Sequence, residues 1–229
     1  PKEIEELVQV DNISSFVKMS WLKSHRDQTW TYSIQTIHTI KNFYNSQELN
    51  EKLKSVFVDV RPYDPEWNFV KDDTGIEGEF QSELYWQDYE KEVNEWLKVE
   101  PLEVPDDTCV IGFRGGEFAL YPDLFLTKEY WGEAIQKMKE IDPNMKFEVH
   151  TDDYDLASQC FPRFKVVHDI GLNWRSMRYA KHAIIANSSF FILPRWLRNG
   201  ITIAPRYWGR RNTRVWSLPQ NYYKRFIYI

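Results

Sequence analysis

Long apolar runs and closely spaced cysteine pairs are both missing from this sequence of 229 residues. No run approaches the roughly 18 apolar residues of a membrane-spanning helix. The first residues, PKEIEELVQV, are acidic and lack the apolar stretch of a secretory signal peptide. Cys109 and Cys160 lie far apart and form no C-x-x-C motif, which argues against a disulfide framework or a structural zinc site. The expected location is the reducing cytoplasm, with a secretory lumen as the alternative.

Three widespread catalytic and nucleotide-binding motifs are also missing. The chain has no G-x-S-x-G, no Walker lysine loop and no G-x-G-x-x-G. Hydrophobic residues nevertheless make up 42% of the chain, enough to build a globular core. Any ligand chemistry must therefore be carried by other residues.

Acidic residues stop at Asp169, and the last sixty residues contain eleven Lys or Arg instead. With a total net charge of −5, the first 169 residues carry −16. Such asymmetry indicates that the C-terminal part faces an anion: a nucleotide, a nucleic acid or a lipid surface. The acidic remainder argues against nucleic acid, so discrete phosphates are expected, with peripheral membrane contact through the basic region as a further option. The alternative is an intramolecular one, in which the basic part packs against the acidic part.

Short apolar segments alternate with helical patterns from about residue 108 onward. This alternation predicts βαβ units and a parallel sheet with helices on both faces. The first hundred residues are less regular and predict a smaller lobe, with a strand at 55–60, a helix at 85–97 and a connector at 100–107. The predicted strands are 109–113, 146–150, 164–168, 183–186 and 201–204; the predicted helices are 128–141, 154–161, 173–181 and 190–198.

Polar turns follow the predicted strands, at the edge where ligands of parallel sheets bind. Arg114, Gly115 and Gly116 follow the first, and an Arg fork beside glycines suits phosphate because the backbone can approach the ligand. Glu117 is placed to hold Arg114 in one rotamer. The alternative is a tight turn with a surface ion pair.

The next turn contains His150, Asp152 and Asp153, whose carboxylates could accept from a ribose or a base. Asp153 and Asp155 also form a D-x-D triplet, which could bind Mn²⁺ or Mg²⁺ or could simply start a helix. His150 could act as an acid or base, or be an ordinary satisfied residue at a strand end.

The turn after strand 183–186 is Asn187, Ser188 and Ser189, followed by Phe190. Asn and Ser favour helix starts, where unpaired amides and partial positive charge can hold a phosphate. An ordinary strand-to-helix turn capped by serine is the alternative.

Taken in order, these turns resemble the inverting fucosyltransferases of the α-1,2 type, glycosyltransferase family eleven. Residues 112–117 (GFRGGE) match the family's His-x-Arg-x-Gly-Asp with Gly in place of His and Glu in place of Asp. Residues 151–153 (TDD) match Ser-Asp-Asp, and 180–190 (AKHAIIANSSF) match the block Cys-Lys-His-x-Ile-Ile-Ala-Asn-Ser-Thr/Ser-Phe. Residues 78–85 (GEFQSELY) resemble Gly-Tyr-Phe-Gln-Ser-Glu-x-Tyr. The resemblance spans about residues 76–208.

This resemblance implies a two-lobed GT-B-like α/β fold, with an acceptor-side lobe at 1–100 and a Rossmann-type nucleotide-sugar lobe at 101–229. The donor would be GDP-fucose or a related GDP-sugar and the acceptor a glycan hydroxyl, with no metal or other cofactor. Arg114 would stabilise the leaving diphosphate, Ser188, Ser189 and the Phe190 amide would hold its phosphates, and Asp152 or Asp153 would meet the nucleoside. Glu117, Asp153 and His150 are the candidate general bases.

Two parts of the family pattern are missing: the Gly-Gly-Leu-Gly-Asn-Gln-Met/Leu loop and an acidic residue near Asn173. The chain is therefore expected to be either a truncated or a divergent member. Two alternatives stay open, a non-catalytic nucleotide- or glycan-binding relative and a metal-dependent transferase that uses Asp153 and Asp155.

Overall fold

The computed structural model describes residues 55–59, 74–78, 82–122, 124–206 and 223–229. In the first two ranges it describes the backbone of strands β1 (Ser55–Asp59) and β2 (Thr74–Gly78), which pair in parallel. The described residues do not include Phe80 and Gln81 of the 78–85 match, the last residues of the stretch that carries the resemblance, or most of the predicted N-terminal lobe.

A six-stranded parallel sheet forms the centre of the described chain. Its strands are β3 (Thr108–Phe113), β4 (Lys146–Thr151), β5 (Lys165–Val167), β6 (His182–Ile185), β7 (Ile201–Ala204) and β8 (Ile227–Tyr228). The order across the sheet is β5-β4-β3-β6-β7-β8. This is the strand order of the doubly wound dinucleotide-binding folds, so the α/β, Rossmann-like expectation is confirmed.

Five α-helices of the described chain connect or precede these strands. They are α1 (Glu90–Trp96), α2 (Lys128–Ile141), α3 (Tyr154–Cys160), α4 (Ile170–Tyr179) and α5 (Ser189–Trp196). Right-handed crossovers put α2 and α3 on one face of the sheet and α4 and α5, which pack together, on the other. Short 3₁₀ turns lie at Glu83–Tyr85, Gln87–Tyr89 and Gly116–Leu120.

The core lies where the central strands meet these helices. Strand β6 is buried along its whole length, and β3 is buried beyond its first residue, as strands covered on both faces must be. The predicted apolar side of α2, Trp131, Ile135 and Met138, is fully buried. Both cysteines are free and buried, and burial raises the pKa of their thiols, which makes them poor nucleophiles. No described helix is long and apolar enough to cross a membrane.

Gly112 of β3 lets helix α5 approach the sheet. A Cβ added there would lie 2.7 Å from the Phe191 ring and 2.8 Å from the Met177 methyl. The resemblance places a histidine at this position in related enzymes, and the Phe191 and Met177 side chains occupy the space that such a ring would need.

We expect Gly112→Ala to lower the free energy of unfolding by about 1–3 kcal/mol, because the new methyl overpacks a buried contact. The matched control is Gly171→Ala in the exposed first turn of α4, where the nearest atom is 3.4 Å from the added Cβ. That change should be neutral or slightly stabilising. Urea denaturation of both variants measures the difference, and equal stabilities would contradict the close approach.

Candidate functional site

The order of the strands reverses between β3 and β6, which brings the two most informative turns together. Cys109 to Gly112 pair with His182 to Ile185, and the Ala186 amide donates to the Gly112 carbonyl at 2.9 Å. The turn carrying Arg114 and the turn carrying Asn187 therefore leave the sheet side by side. Ligands of such sheets bind in the crevice at this reversal point.

Arg114 is held at the mouth of this crevice by two carboxylates. Its Nη1 donates to Asp152 Oδ2, and its Nη2 lies 3.3 Å from Glu117 Oε1. The guanidinium also lies over the Phe118 ring, 5.1 Å from its centroid. The side chain remains 28% exposed; burial lowers its pKa, and Glu117 opposes that shift. An oriented, partly dehydrated guanidinium is suited to bind an anion.

The two glycines after Arg114 let the chain pass against the neighbouring turn. Gly116 has φ +43°, a left-handed conformation that other residues adopt at a cost, and a Cβ there would meet Asp152 at 2.7 Å. A Cβ on Gly115 would meet the Asp153 side chain at 2.7 Å. The Gly115 amide donates to Asp152 Oδ1 at 2.8 Å. The structure thus brings together six of the predicted site residues: Arg114, Gly115, Gly116, Glu117, Asp152 and Asp153.

The carboxylates of the 151–153 turn are used within the protein. Both oxygens of Asp152 accept from the Arg114 turn. Asp153 Oδ1 accepts from the Leu156 amide at 3.0 Å and caps helix α3. Asp155 lies in the first turn of that helix, where an acid is favourable. Among the described residues no three His, Cys, Asp or Glu form a group that could hold a metal ion.

His150 points away from the crevice into the fold and is 1% exposed. Its Nδ1 lies 3.0 Å from Asn173 Oδ1 and its Nε2 lies 2.9 Å from Glu148 Oε1. The ring therefore has no nitrogen to offer a substrate in this arrangement. The predicted substrate contact of His150 and its candidacy as a general base have no support in this geometry.

The 187–190 junction forms the other wall of the crevice. Ser188 is the N-cap of α5, yet its side chain makes no capping hydrogen bond, and Ser189 is exposed. The first amides of a helix have no partner within the helix, so they remain available to an anion. Asn187 Nδ2 donates to the Leu124 carbonyl at 3.0 Å, and its buried Oδ1 has no hydrogen-bond partner among the described residues.

An aromatic groove with a volume of about 430 Å³ begins at Phe190, beside this junction. We call it the Phe190 groove. Trp174 packs edge-to-face on Phe190 with ring centroids 5.6 Å apart, and Ile170 is 77% exposed at the rim. Its remaining lining residues are Trp96, Leu97, Lys98, Val99, Gly171 and Arg175. The ionisable side chains of this lining are cations, and its volume is within the usual range for small-ligand sites.

Trp174 was absent from the residues selected by sequence, although it lies in the helix that follows the turn after the predicted strand 164–168. Asn173 was noted only for lacking a carboxylate. A search for aromatics in the helix after each such turn would have found Trp174.

The basic C-terminal residues largely serve the fold, as the intramolecular alternative expects. Arg195 is fully buried, so its charge does not contribute to a surface that faces an anion. Arg225 pairs with Glu90 at 2.5 Å and Lys181 with Asp106 at 3.1 Å. Arg175 and Arg178 donate to groups of residues 94–101. Arg210, Arg211 and Arg214 lie outside the described residues.

Comparison with known proteins gives one informative similarity. Over 161 aligned residues the chain is 29% identical to an alpha-1,2-colitosyltransferase of Escherichia coli. The alignment covers 58% of this chain and 56% of that enzyme, so the chain spans little more than half of its length. No family model and no solved structure matches the chain. The chain is thus similar to a glycosyltransferase, and the Rossmann-like sheet described above agrees with that class.

Proposed function

We propose that this protein is a glycosyltransferase that moves a sugar from a nucleoside diphosphate to a hydroxyl of a glycan. The main observation behind this proposal is that the Arg114 turn lies beside the start of α5 at the reversal point of the sheet. The start of α5 has no side-chain capping hydrogen bond. A guanidinium and free helix amides on opposite walls of one crevice suit a diphosphate. The similarity to a sugar transferase is the reason for proposing that the diphosphate belongs to a nucleotide sugar.

The donor we propose is GDP-fucose or a related GDP-sugar. This choice rests on the motif resemblance to α-1,2-fucosyltransferases and on the similarity to a colitosyltransferase. Arg114 would bind the β-phosphate, and the Ser188 and Ser189 hydroxyls and the Phe190 amide would bind the phosphate oxygens.

We propose that the Phe190 groove holds the nucleobase. The carboxylates first assigned to the nucleoside, Asp152 and Asp153, already accept hydrogen bonds within the protein. The groove instead offers Trp174 and Phe190 rings for stacking, and it starts at the residue whose amide is proposed to bind phosphate. Lys98 supplies a donor for an acceptor atom on the edge of a base.

The proposed reaction is a single displacement with inversion at the anomeric carbon, without a metal ion. The glycan hydroxyl forms the new glycosidic bond as the bond to the diphosphate breaks, and Arg114 stabilises the charge that develops on the leaving group. Glu117 is the general base we favour, because its carboxylate is 62% exposed beside Arg114. The His150 ring is buried with both nitrogens facing oxygen atoms, and Asp153 caps helix α3, whereas the contact of Glu117 with Arg114 is a long one at 3.3 Å.

A thermal-shift screen of nucleotide sugars tests the donor class. At concentrations near 100 times the dissociation constant, GDP-fucose should stabilise the protein by about 2.7 kcal/mol, a rise in Tm on the order of 5–10 °C. UDP and CMP sugars should produce smaller shifts. Trp174→Ala should reduce the shift from GDP while leaving any shift from inorganic pyrophosphate unchanged, because pyrophosphate has no base to stack.

Product analysis separates a transferase from a binding protein. Incubation with GDP-fucose and an oligosaccharide array should yield glycosylated product and free GDP. A GDP-induced shift without product would favour the non-catalytic relative instead. Equal shifts from all nucleotides, or none, would contradict the donor assignment.

A further inference from the structure

A chain of hydrogen bonds passes beneath the 151–153 turn, inside the fold. Lys165 Nζ donates to Glu148 Oε2 at 2.8 Å, and Glu148 Oε1 faces His150 Nε2 at 2.9 Å. His150 Nδ1 then faces Asn173 Oδ1 at 3.0 Å, and Asn173 Nδ2 donates to the Thr151 carbonyl at 2.8 Å. The two bonds of the Asn173 side chain are buried, the His150–Glu148 contact is partly buried, and the Lys165–Glu148 bond lies at the surface. The series of hydrogen bonds thus leads from Lys165 at the surface to the 151–153 turn.

The bond to the Thr151 carbonyl fixes which way each group faces. Because Asn173 uses its Nδ2 for that bond, its Oδ1 faces His150 and can only accept. Glu148 also accepts, since the hydrogen bond from His150 lowers its pKa to about 2. Both ring nitrogens of His150 therefore face oxygen atoms, Asn173 Oδ1 on one side and Glu148 Oε1 on the other.

The series of hydrogen bonds reaches the crevice at Thr151. Thr151 Oγ1 accepts from the Asp153 amide at 3.0 Å, which closes the turn. The residue between them, Asp152, binds the Gly115 amide and the Arg114 guanidinium. The position of the Thr151 carbonyl thus fixes Asp152, and Asp152 orients Arg114.

We propose that Asn173 and His150 are positioning residues that hold the 151–153 turn from below, so that Asp152 presents Arg114 to the diphosphate. The part of this inference that concerns diphosphate binding rests on the proposed function. The part that concerns the hydrogen bond from the Gly115 amide to Asp152 does not. A helix α4 that needed only to cover the sheet could use an apolar side chain at residue 173. A buried amide is costly unless it is fully paired, and here both of its ends are paired.

Asn173→Asp is the sharpest test, because it retains an acceptor for His150 and replaces the donor to Thr151 with an oxygen. We expect GDP to bind about tenfold more weakly at a temperature where the variant is fully folded, because one buried hydrogen bond to the turn is lost. We also expect the ¹H–¹⁵N resonance of Gly115 to move upfield in the ligand-free protein. Asn173→Ser adds no buried charge and should change both readouts in the same direction if Asn173→Asp does not fold.

Ser176→Ala is the matched control, since Ser176 is buried on the same helix and lies outside this chain of bonds. It should lower Tm without changing GDP affinity or the Gly115 resonance. The proposal is overturned if the Asn173 variants lower Tm but leave the Gly115 resonance and GDP affinity as in the parent. If the parent protein itself does not bind GDP, the proposed function fails and the Gly115 resonance alone decides the positioning role.

Discussion

Replacing Arg114 with Ala should weaken GDP binding about 100-fold. A guanidinium that donates two hydrogen bonds to a charged phosphate contributes about 1.5–3 kcal/mol for each bond, and part of this is lost to competition from Asp152 and Glu117. Arg114→Lys retains the positive charge but not the planar guanidinium with its paired donors, and it should recover only a part of the affinity. Calorimetry at one fixed salt concentration measures all three proteins.

Glu117→Gln is the control for that experiment. Its side chain is exposed and lies 3.3 Å from Arg114, so losing its charge should change GDP affinity by less than about threefold. Turnover should fall much further if Glu117 is the general base. Undiminished GDP binding by Arg114→Ala would show that the diphosphate does not bind in this crevice.

The sheet and its helices could be predicted because their patterns are local. Lys128–Ile141 and Ile201–Ala204 begin and end at the predicted residues, since an amphipathic helix and a buried apolar strand show in sequence without knowledge of their partners. The convergence of the turns at 114–116, 151–153 and 187–189 also followed, because the carboxyl ends of parallel strands share one edge.

Elements that depend on a distant or polar partner were missed or misplaced. Helix α4 begins at Ile170 rather than Asn173, because Asp169 Oδ1 accepts from the Leu172 amide at 2.7 Å and caps the helix earlier. The predicted helix 85–97 is two 3₁₀ turns followed by Glu90–Trp96. Strand β8 has only two residues and depends on its pairing with β7, and β2 contains two glycines, so neither shows a strand pattern.

The site was predictable at the level of turns and not at the level of contacts. Nothing in the sequence says that Asp152 faces Arg114 rather than a ligand, or that the His150 ring turns inward to Asn173. Both depend on side-chain direction at and just beyond the end of β4, where the chain leaves the sheet at Asp152 and strand alternation no longer sets the direction of each side chain. The net positive charge of the last sixty residues overstated the basic surface for a related reason. A count of charges does not distinguish a surface cation from a buried one such as Arg195.

The largest expected loss of stability comes from Arg195→Ala. Arg195 is fully buried, and burial lowers its pKa to about 9. Its guanidinium donates to the carbonyls of Met177 and Ala180 at the end of α4, where the helix dipole favours a cation. It also donates to the Ile201 carbonyl and the Thr202 hydroxyl on β7. One side chain thus joins α4, α5 and β7.

Removing that side chain takes a hydrogen-bond donor away from three carbonyls and the Thr202 hydroxyl, and it opens a cavity between three elements. We expect the free energy of unfolding to fall by about 4 kcal/mol or more, since each unsatisfied buried group costs about 1–3 kcal/mol and water entering the cavity recovers part of this. Arg206→Ala is the control, because Arg206 is exposed and, within the part of the chain that the structure describes, only its backbone amide is bonded, to the Ile229 carbonyl. It should cost less than about 0.5 kcal/mol. A loss below 1 kcal/mol for Arg195→Ala, measured by urea denaturation, would mean that water replaces the guanidinium at little cost.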